Sequence, residues 1–458
     1  MMDTATAARA VAGRLYGESV RFGRVATDTR SLAPGDLFVA LKGERFDGHD
    51  FVAAALEHGA AAAMVAADRA RSLAGNLIAV ADPLAALAVL AAYWRDQFAL
   101  PVIVVVGSNG KTTVNQMLTA ILRAHHGEAH VLATGGNFNN AIGLPLTLLG
   151  LRDEHAVAAI ELGMNHRGET AELAAVAQPT IAVINNAQRE HQEFMQSVAE
   201  VAAEHADLIL ALTADGIAVI NADDAFVDVW RDAAHRKGVA VVEFGLDHPA
   251  AVRGRWAPTA TGATLDVATP AGDATVHLSA PGRHNASNAL AAATAALATG
   301  VPLPAVIRGL EAFRPVAGRL VPIAAASGAR VIDDTYNANP DSVRAAIDVL
   351  ATATAPRWLA LGDMGEVGAH GPAYHREVGE HARRAGIERM LTTGTLAAEA
   401  AAAFGAGAEH FATVDALAAH VAANATAGVT VLVKGSRFMR MERVVAALAG
   451  DVAAGGKH

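Results

Sequence analysis

The chain has 458 residues, enough for two to four domains that each bury a core of their own. It contains no cysteine, which excludes disulfides and thiolate metal sites, and its net charge of −10 argues against nucleic acid as a main partner, because phosphate backbones demand clustered cations. The longest apolar run, Leu84 to Trp94, is well short of the roughly 20 residues of a bilayer span, and the N-terminus "MMDTATAARAVAGRLYG" lacks a signal-peptide core, so a cytoplasmic chain without a membrane span is expected.

In chain order, residues 1–97 mix short strands, "GDLFVAL" (Gly35 to Leu41) and "AAAMVA" (Ala61 to Ala66), with alanine-rich helices such as "DFVAAALEHG" (Asp50 to Gly59). This predicts a small α/β unit. From Pro101 the pattern repeats strand, loop, helix: "VIVVV" with a helix from Lys111, "AVAAIEL" (Ala156 to Leu162) with a helix near Glu169, "TIAVINN" (Thr180 to Asn186) with a helix near Ser197, then "GIAVIN" (Gly216 to Asn221). Apolar strands alternating with helices predict a doubly wound, mostly parallel sheet over residues 98–316. Within it the Gly-, Thr- and Pro-rich stretch 250–282 reads as turns and short antiparallel strands, ahead of a helix over Asn285 to Leu297. Residues 317–458 carry "ARVIDD", "RWLALGD", "RMLTTG" and "VTVLVKG" as strands of a third, Rossmann-like α/β domain. The predicted fold class is therefore α/β in three domains.

The stretch "VIVVVGSNGKTT" places a glycine-rich loop after the most apolar strand of the chain. From Gly107 to Lys111 the spacing is Gly-x-x-Gly-Lys, two residues shorter than the common phosphate-binding loop. The physical requirements survive the shortening. Gly107 and Gly110 allow the turn, the amides of Ser108 to Thr113 at the helix start point at phosphate, Lys111 supplies a point charge, and Thr112 offers a hydroxyl to Mg²⁺. A nucleoside triphosphate is the expected ligand. Lysine is scarce in the chain, five residues in all, which singles out Lys111 further. Ligands of open α/β sheets collect at the carboxyl ends of strands, where Glu161 and the cluster "NNAQREHQEF" with His191 belong. Both side chains are candidate Mg²⁺ ligands, although His191 alone reads equally well as a helix-cap histidine. The loop "TGGNFNN" brings Asn137, Asn139 and Asn140 as candidate substrate contacts.

These motifs occur together with "DTRSLAPGDLFVALKGERFDGHDF", "ELGMNHRGE", "PGRHNASNALAA", "DDTYNANPDSVRAAID", "LGDMGEVG" and "KGSRFMR", in that order over nearly the whole length. In this the chain resembles the Mur ligases of peptidoglycan synthesis, whose short phosphate loop binds ATP to activate a carboxylate. The resemblance implies a ligase that joins D-alanyl-D-alanine to UDP-N-acetylmuramoyl-tripeptide through an acyl phosphate, with ADP and phosphate released, acting as a monomer. It implies that Thr29, Arg30, Ser31, Lys42, Gly43, Phe46, Asp47, Gly48 and His49 meet the UDP moiety. Asn285 and Asn288 are implied near adenine, Arg319 at ATP phosphate, Asp334 at ribose, and Tyr336, Asn337 and Asn339 in the cleft. Asp363, Glu366, Lys434 and Ser436 are implied near the amine substrate, and Glu161 and His191 at a second Mg²⁺. Mur ligases commonly carry a carbamylated lysine in the helix after the His191 motif. This chain departs from that pattern: it has no lysine between Lys111 and Lys237, and His205, beside Glu204, stands at that spacing. Glu204 or His205 is expected to face the metal, with activity independent of bicarbonate. A folylpolyglutamate synthase-like ligase and an ATP-gated binding protein remain alternatives, and the tripeptide's third residue, diaminopimelate or lysine, is open.

Overall fold

In the computed structural model, which describes residues 1–259 and 262–450, three α/β domains each carry a main sheet, and a two-stranded pair of Met2–Asp3 with Arg21–Phe22 accompanies the first. The last eight residues of the third predicted domain lie outside the described residues. The first main sheet has five strands in the order Arg14–Tyr16, Leu77–Val80, Ala62–Ala66, Asp36–Val39, Arg24–Ala26, parallel except at Arg14–Tyr16. The N-terminal helix Thr4–Ala10 stops short of Arg14–Tyr16, which joins the sheet. A helix over Pro83–Arg95 follows, started by Pro83 and by the Asp82 carboxylate, which accepts from the Leu84 amide at 2.8 Å. Its Leu87, Leu90 and Ala91 share one core with Leu144 and Leu148, which fixes the first domain against the second.

The central sheet has nine strands. From one edge they run Val131–Ala133, Val157–Glu161, Val102–Val106, Ile181–Ile184, Ile217–Asn221, Ala240–Gly245, Val252–Thr259, Gly262–Thr269, Gly272–Leu278. All pairings are parallel up to Val252–Thr259, and the last two are antiparallel. The strand Val102–Val106 is wholly buried because both faces are covered. Ile103 and Val105 pack in the cluster under the helices Lys111–His126 and Arg283–Ala298, whereas Val104 and Val106 pack in the cluster of Glu169–Ala177 and Val198–Leu210. The stretch expected as turns and short strands, 250–282, instead forms strands of seven and eight residues that extend this same sheet.

The third sheet has the order Val321–Ala324, Arg330–Asp334, Thr430–Lys434, Arg357–Leu361, Arg389–Thr393, Ala408–Phe411, with Val321–Ala324 antiparallel as its edge. Asp334 and Lys434 are register partners, which sets up an ion pair between the strand ends. Among the described residues no helix is long and apolar enough to cross a membrane.

Candidate active site

Val102–Val106 ends at Gly107, and Gly110, at φ 83°, turns the chain into the helix Lys111–His126. A side chain at Gly110 would meet Asn288 and lie 2.8 Å from Asn185 Nδ2, so the turn needs glycine for space as well as for its backbone. The neighbouring strand end braces the loop: Asn186 accepts from the Ser108 amide through its carbonyl (3.1 Å) and from the Asn109 amide through Oδ1 (2.9 Å), and Asn185 Nδ2 donates to the Asn109 carbonyl at 2.8 Å. The amides at the start of the helix stay directed at the space in front. Lys111 Nζ donates to the Gly107 carbonyl at 2.6 Å and lies 3.2 Å from Glu190 Oε2.

That space is a cavity of about 980 Å³ between the second and third domains. Ser108 to Thr113, Asn137, Asn139, Asn140, Glu161, His191, Asn285 and Asn288 line it from the second domain. Arg319, Asp334, Tyr336, Asn337, Asn339, Glu366 and Lys434 line it from the third. Arg319 crosses the gap, donating to Thr112 Oγ1 at 3.0 Å while its guanidinium sits 4.1 Å over the Tyr336 ring. Asn339 Nδ2 donates to Asn109 Oδ1 at 2.9 Å, so a residue of the phosphate loop is tied to the cap of the helix Pro340–Ala351. Glu161 is buried and accepts from Asn139 Nδ2 at 2.7 Å through one oxygen. The His191 ring, on a residue held at φ 48°, has Nδ1 2.7 Å from Glu366 Oε2. The pair lowers the Glu366 pKa, the His191 contact acting most strongly. Lys434 donates to Asp334 at 2.6 Å and to the Asn337 carbonyl at 2.9 Å.

Other predicted residues lie elsewhere. None of the first-domain group lines this cavity. Gly43 and Phe46 close a tight turn bridged by Lys42 and Asp47, with Phe46 73% exposed at its tip. Thr29, Arg30 and Ser31 form a second turn, where the Arg30 hydrogen bonds hold the Asp28 pKa down to about 2. His49, which follows Gly48, is buried, with Nδ1 2.6 Å from Asp47 and Nε2 accepting from the Ala66 amide at 2.9 Å. Ser436 is also engaged internally, accepting from the Gly365 amide and donating to the Ala338 carbonyl.

Two expectations are corrected. Glu204 does not face the metal region: its oxygens accept from the amides of Gly168 at 3.0 Å and Thr170 at 2.9 Å, which caps the helix Glu169–Ala177. Asp363 is not available to an amine substrate, because it accepts from the amides of Thr395, Leu396 and Ala397 and caps Ala397–Phe404. His205 does turn inward. It is 1% exposed, with Nε2 3.5 Å from Glu190 Oε1.

Two residues at the site escaped the sequence reading. Glu190 lines the cavity beside Lys111; burial alone would raise its pKa, but Lys111, His205 and His191 outweigh burial and bring it down to about 2. Arg189 reaches into the third domain, pairing with Asp341 at 2.5 Å and Glu377 at 2.6 Å and resting 5.0 Å over the Tyr374 ring. The only signal for either was their place inside "NNAQREHQEF", since their partners are remote in sequence.

Profiles of known families match three stretches: Mur ligase family, catalytic domain, at residues 22–95; Mur ligase middle domain at 105–296; and Mur ligase, glutamate ligase domain, at 318–437. The chain belongs to the Mur ligase family. Among Mur ligases, a protein of Escherichia coli (strain K12) named UDP-N-acetylmuramoyl-tripeptide--D-alanyl-D-alanine ligase is 40% identical over 438 residues, covering 95% of this chain and 96% of that one. A crystal structure of MurF from Acinetobacter baumannii superimposes with a TM-score of 0.90 at 33% identity, over 98% of this chain and 99% of that one. MurF ligase from Thermotoga maritima in complex with ADP gives 0.81 at 25% identity, over 94% and 98%. The short phosphate loop lies in the stretch matched by the Mur ligase middle domain, and the cavity is lined from that stretch and from the one matched by the glutamate ligase domain.

Proposed function

We propose that this Mur ligase joins D-alanyl-D-alanine to UDP-N-acetylmuramoyl-tripeptide, using ATP to form an acyl phosphate and releasing ADP and phosphate. The observation that carries this reading is the 40% identity, across 95% of the chain, to a ligase of that name. The cavity has the chemistry to match. The reaction brings the tripeptide carboxylate against the γ-phosphoryl group, two anions that repel. Lys111 and Arg319 approach the phosphate region from the second and third domains, and their charges lower that repulsion and stabilise the transition state. Walls from two domains keep water away from an acyl phosphate that would otherwise hydrolyse, and hold the carboxylate in line for the incoming amine. Attack by the dipeptide amine gives a tetrahedral intermediate that expels phosphate.

The residues present fit Mg²⁺. Glu161 and Thr112 offer hard oxygen donors at the cavity wall, with His191 beside them, and a buried Glu190 oxygen has no hydrogen-bond partner. Among the described residues no three His, Asp or Glu side chains converge as a ready-made cage, which suits a cation that completes its shell with phosphate oxygens and water. When bound, Mg²⁺ neutralises charge on the transferring phosphoryl group. Asn285 and Asn288 are assigned to the adenine end, and Asp334, Tyr336 and Asn337 to the ribose and cleft. The exposed first-domain turns at Thr29–Ser31 and Lys42–Asp47 are assigned to the UDP moiety, whose remote binding energy positions the carboxylate. The domain bounds 1–97, 98–316 and 317–458, a monomeric state and a cytoplasmic location belong to the same proposal.

The test is phosphate release from ATP with UDP-muramyl-tripeptide in both third-residue forms and D-alanyl-D-alanine, omitting each in turn, with mass spectrometry of the product. Release that needs both substrates and yields the pentapeptide is expected. ATP binding without turnover on either tripeptide would remove the substrate assignment.

A further inference from the structure

Glu190 is a buried carboxylate that the roles above leave beside the metal-binding residues without a part of its own. It is 6% exposed, and its Oε2 lies 3.2 Å from Lys111 Nζ and 3.8 Å from His191 Nε2. Its Oε1 lies 3.5 Å from His205 Nε2 and has no hydrogen-bond partner. His205, from the helix Val198–Leu210, is itself buried with Nδ1 unpartnered. Charge-assisted contacts between side chains normally close to about 2.7–2.9 Å, so Lys111 holds this carboxylate by one long hydrogen bond at 3.2 Å while the imidazoles stand further off. A buried carboxylate whose main match is one lysine becomes costly to keep once that lysine is drawn away.

Nucleotide binding sharpens the problem, because Lys111 is also the cation that phosphate needs. Once Lys111 turns from Glu190 to the phosphates, a carboxylate and a polyphosphate share one end of a cavity in which two anions cannot rest unscreened. A divalent cation between them answers both charges, where one lysine answers only one. We propose that Glu190, positioned by His205, is a further magnesium-binding residue of this ligase, presenting Oε2, the oxygen that Lys111 vacates, to the cation on the His191 side of the phosphate site. The proposal rests on the ATP-dependent ligase reading for the presence of phosphate and Mg²⁺. Glu190 is the metal-binding group, and His205 is a positioning residue that stands against the buried Oε1 and so leaves Oε2 on the cavity side.

The test uses the full chain with Mn²⁺ as the probe and the β,γ-imido analogue of ATP. Tightly bound Mn²⁺ is counted by electron paramagnetic resonance, with melting temperatures recorded alongside. Glu190→Gln is expected to bind Mn²⁺ at least tenfold more weakly, or to lose one ion per chain, while still binding the analogue. His205→Gln is expected to weaken Mn²⁺ binding severalfold and to broaden the bound-ion spectrum. Unchanged Mn²⁺ number and affinity in Glu190→Gln would overturn the proposal and leave Glu190 as a counter-ion to Lys111. If that variant does not fold, the anomalous map of wild-type crystals with Mn²⁺ and the analogue decides: a cation within about 2.2 Å of Glu190 Oε2 is expected for such an oxygen ligand, and none there overturns it. Loss of Mn²⁺ in Glu190→Gln together with a wild type that makes no pentapeptide would keep the metal site and remove the substrate reading instead.

Discussion

Replacing Arg189 by alanine removes the strongest electrostatic tie between the second and third domains. The guanidinium pairs with Asp341 at 2.5 Å and Glu377 at 2.6 Å, with side-chain exposures of 18%, 21% and 32%. Pairs of that exposure fall between surface pairs, worth at most about 1 kcal/mol, and buried pairs, whose breakage costs about 3–5 kcal/mol. Part of the tie survives, since the Arg189 amide still donates to Asp341 at 2.9 Å, and Glu377 is not left unpaired because Arg344 of its own domain holds it at 3.0 Å. The net loss is therefore about 2 kcal/mol, or roughly a 30-fold shift toward the open arrangement. Small-angle scattering of the nucleotide-free protein should show a larger radius of gyration, and kcat/KM should fall about 10- to 30-fold while the melting of the first domain stays unchanged. Scattering and kcat/KM both within about twofold of wild type would refute the reasoning.

Lys111→Met strips the buried Glu190 of its only nearby non-imidazole cation, so chemical denaturation should show a loss of about 3 kcal/mol. The double variant with Glu190→Gln should recover most of that stability without activity, and a Lys111→Met protein as stable as wild type would contradict the pairing. Gly110→Ala places a side chain against Asn185 and Asn288 at a left-handed residue; calorimetry should show ADP affinity at least tenfold weaker, and unchanged affinity would mean that the loop relaxes freely. Hydrogen bonds from Arg189 lower the Glu377 pKa. A lowered folded-state value means the stabilisation is complete above the ordinary glutamate value of about 4.3 and disappears as pH falls through the lower one. Scattering should therefore report domain opening only below about pH 4 in the wild type, and Arg189→Ala should lack that transition.

Much of the centre of this molecule can be read from local sequence. The five residues Val102–Val106 are apolar on both faces because both faces are covered, and Gly107 to Thr113 carry their own turn geometry and charge, so strand, loop and ligand class follow from a dozen neighbours. The strand Ala240–Gly245 was not legible, because its first two residues are exposed and its pattern is that of a half-covered strand beside a charged helix end. Edge strands such as Val131–Ala133 and Ala408–Phe411 are three and four residues long and carry too little periodicity to be seen. At the site, Glu161 and His191 fall at strand ends and could be placed, whereas Arg189 has partners 152 and 188 positions away. Glu204 and His205 are adjacent on one helix, but a turn of about 100° per residue separates them. One caps a neighbouring helix and the other enters the core of the site, a choice that only packing makes.

The chain passes from the second domain to the third once, through residues 313–320, between the helix Leu303–Ala312 and the strand Val321–Ala324. Arg319 lies in that crossing, between Gly318 at φ 76° and Leu320 at φ 54°. The residue assigned to ATP phosphate is therefore part of the crossing itself, and from there its guanidinium reaches back to Thr112 Oγ1 at 3.0 Å. One short segment thus does two jobs, joining the second domain to the third and delivering a positive charge to the loop at the start of the helix Lys111–His126.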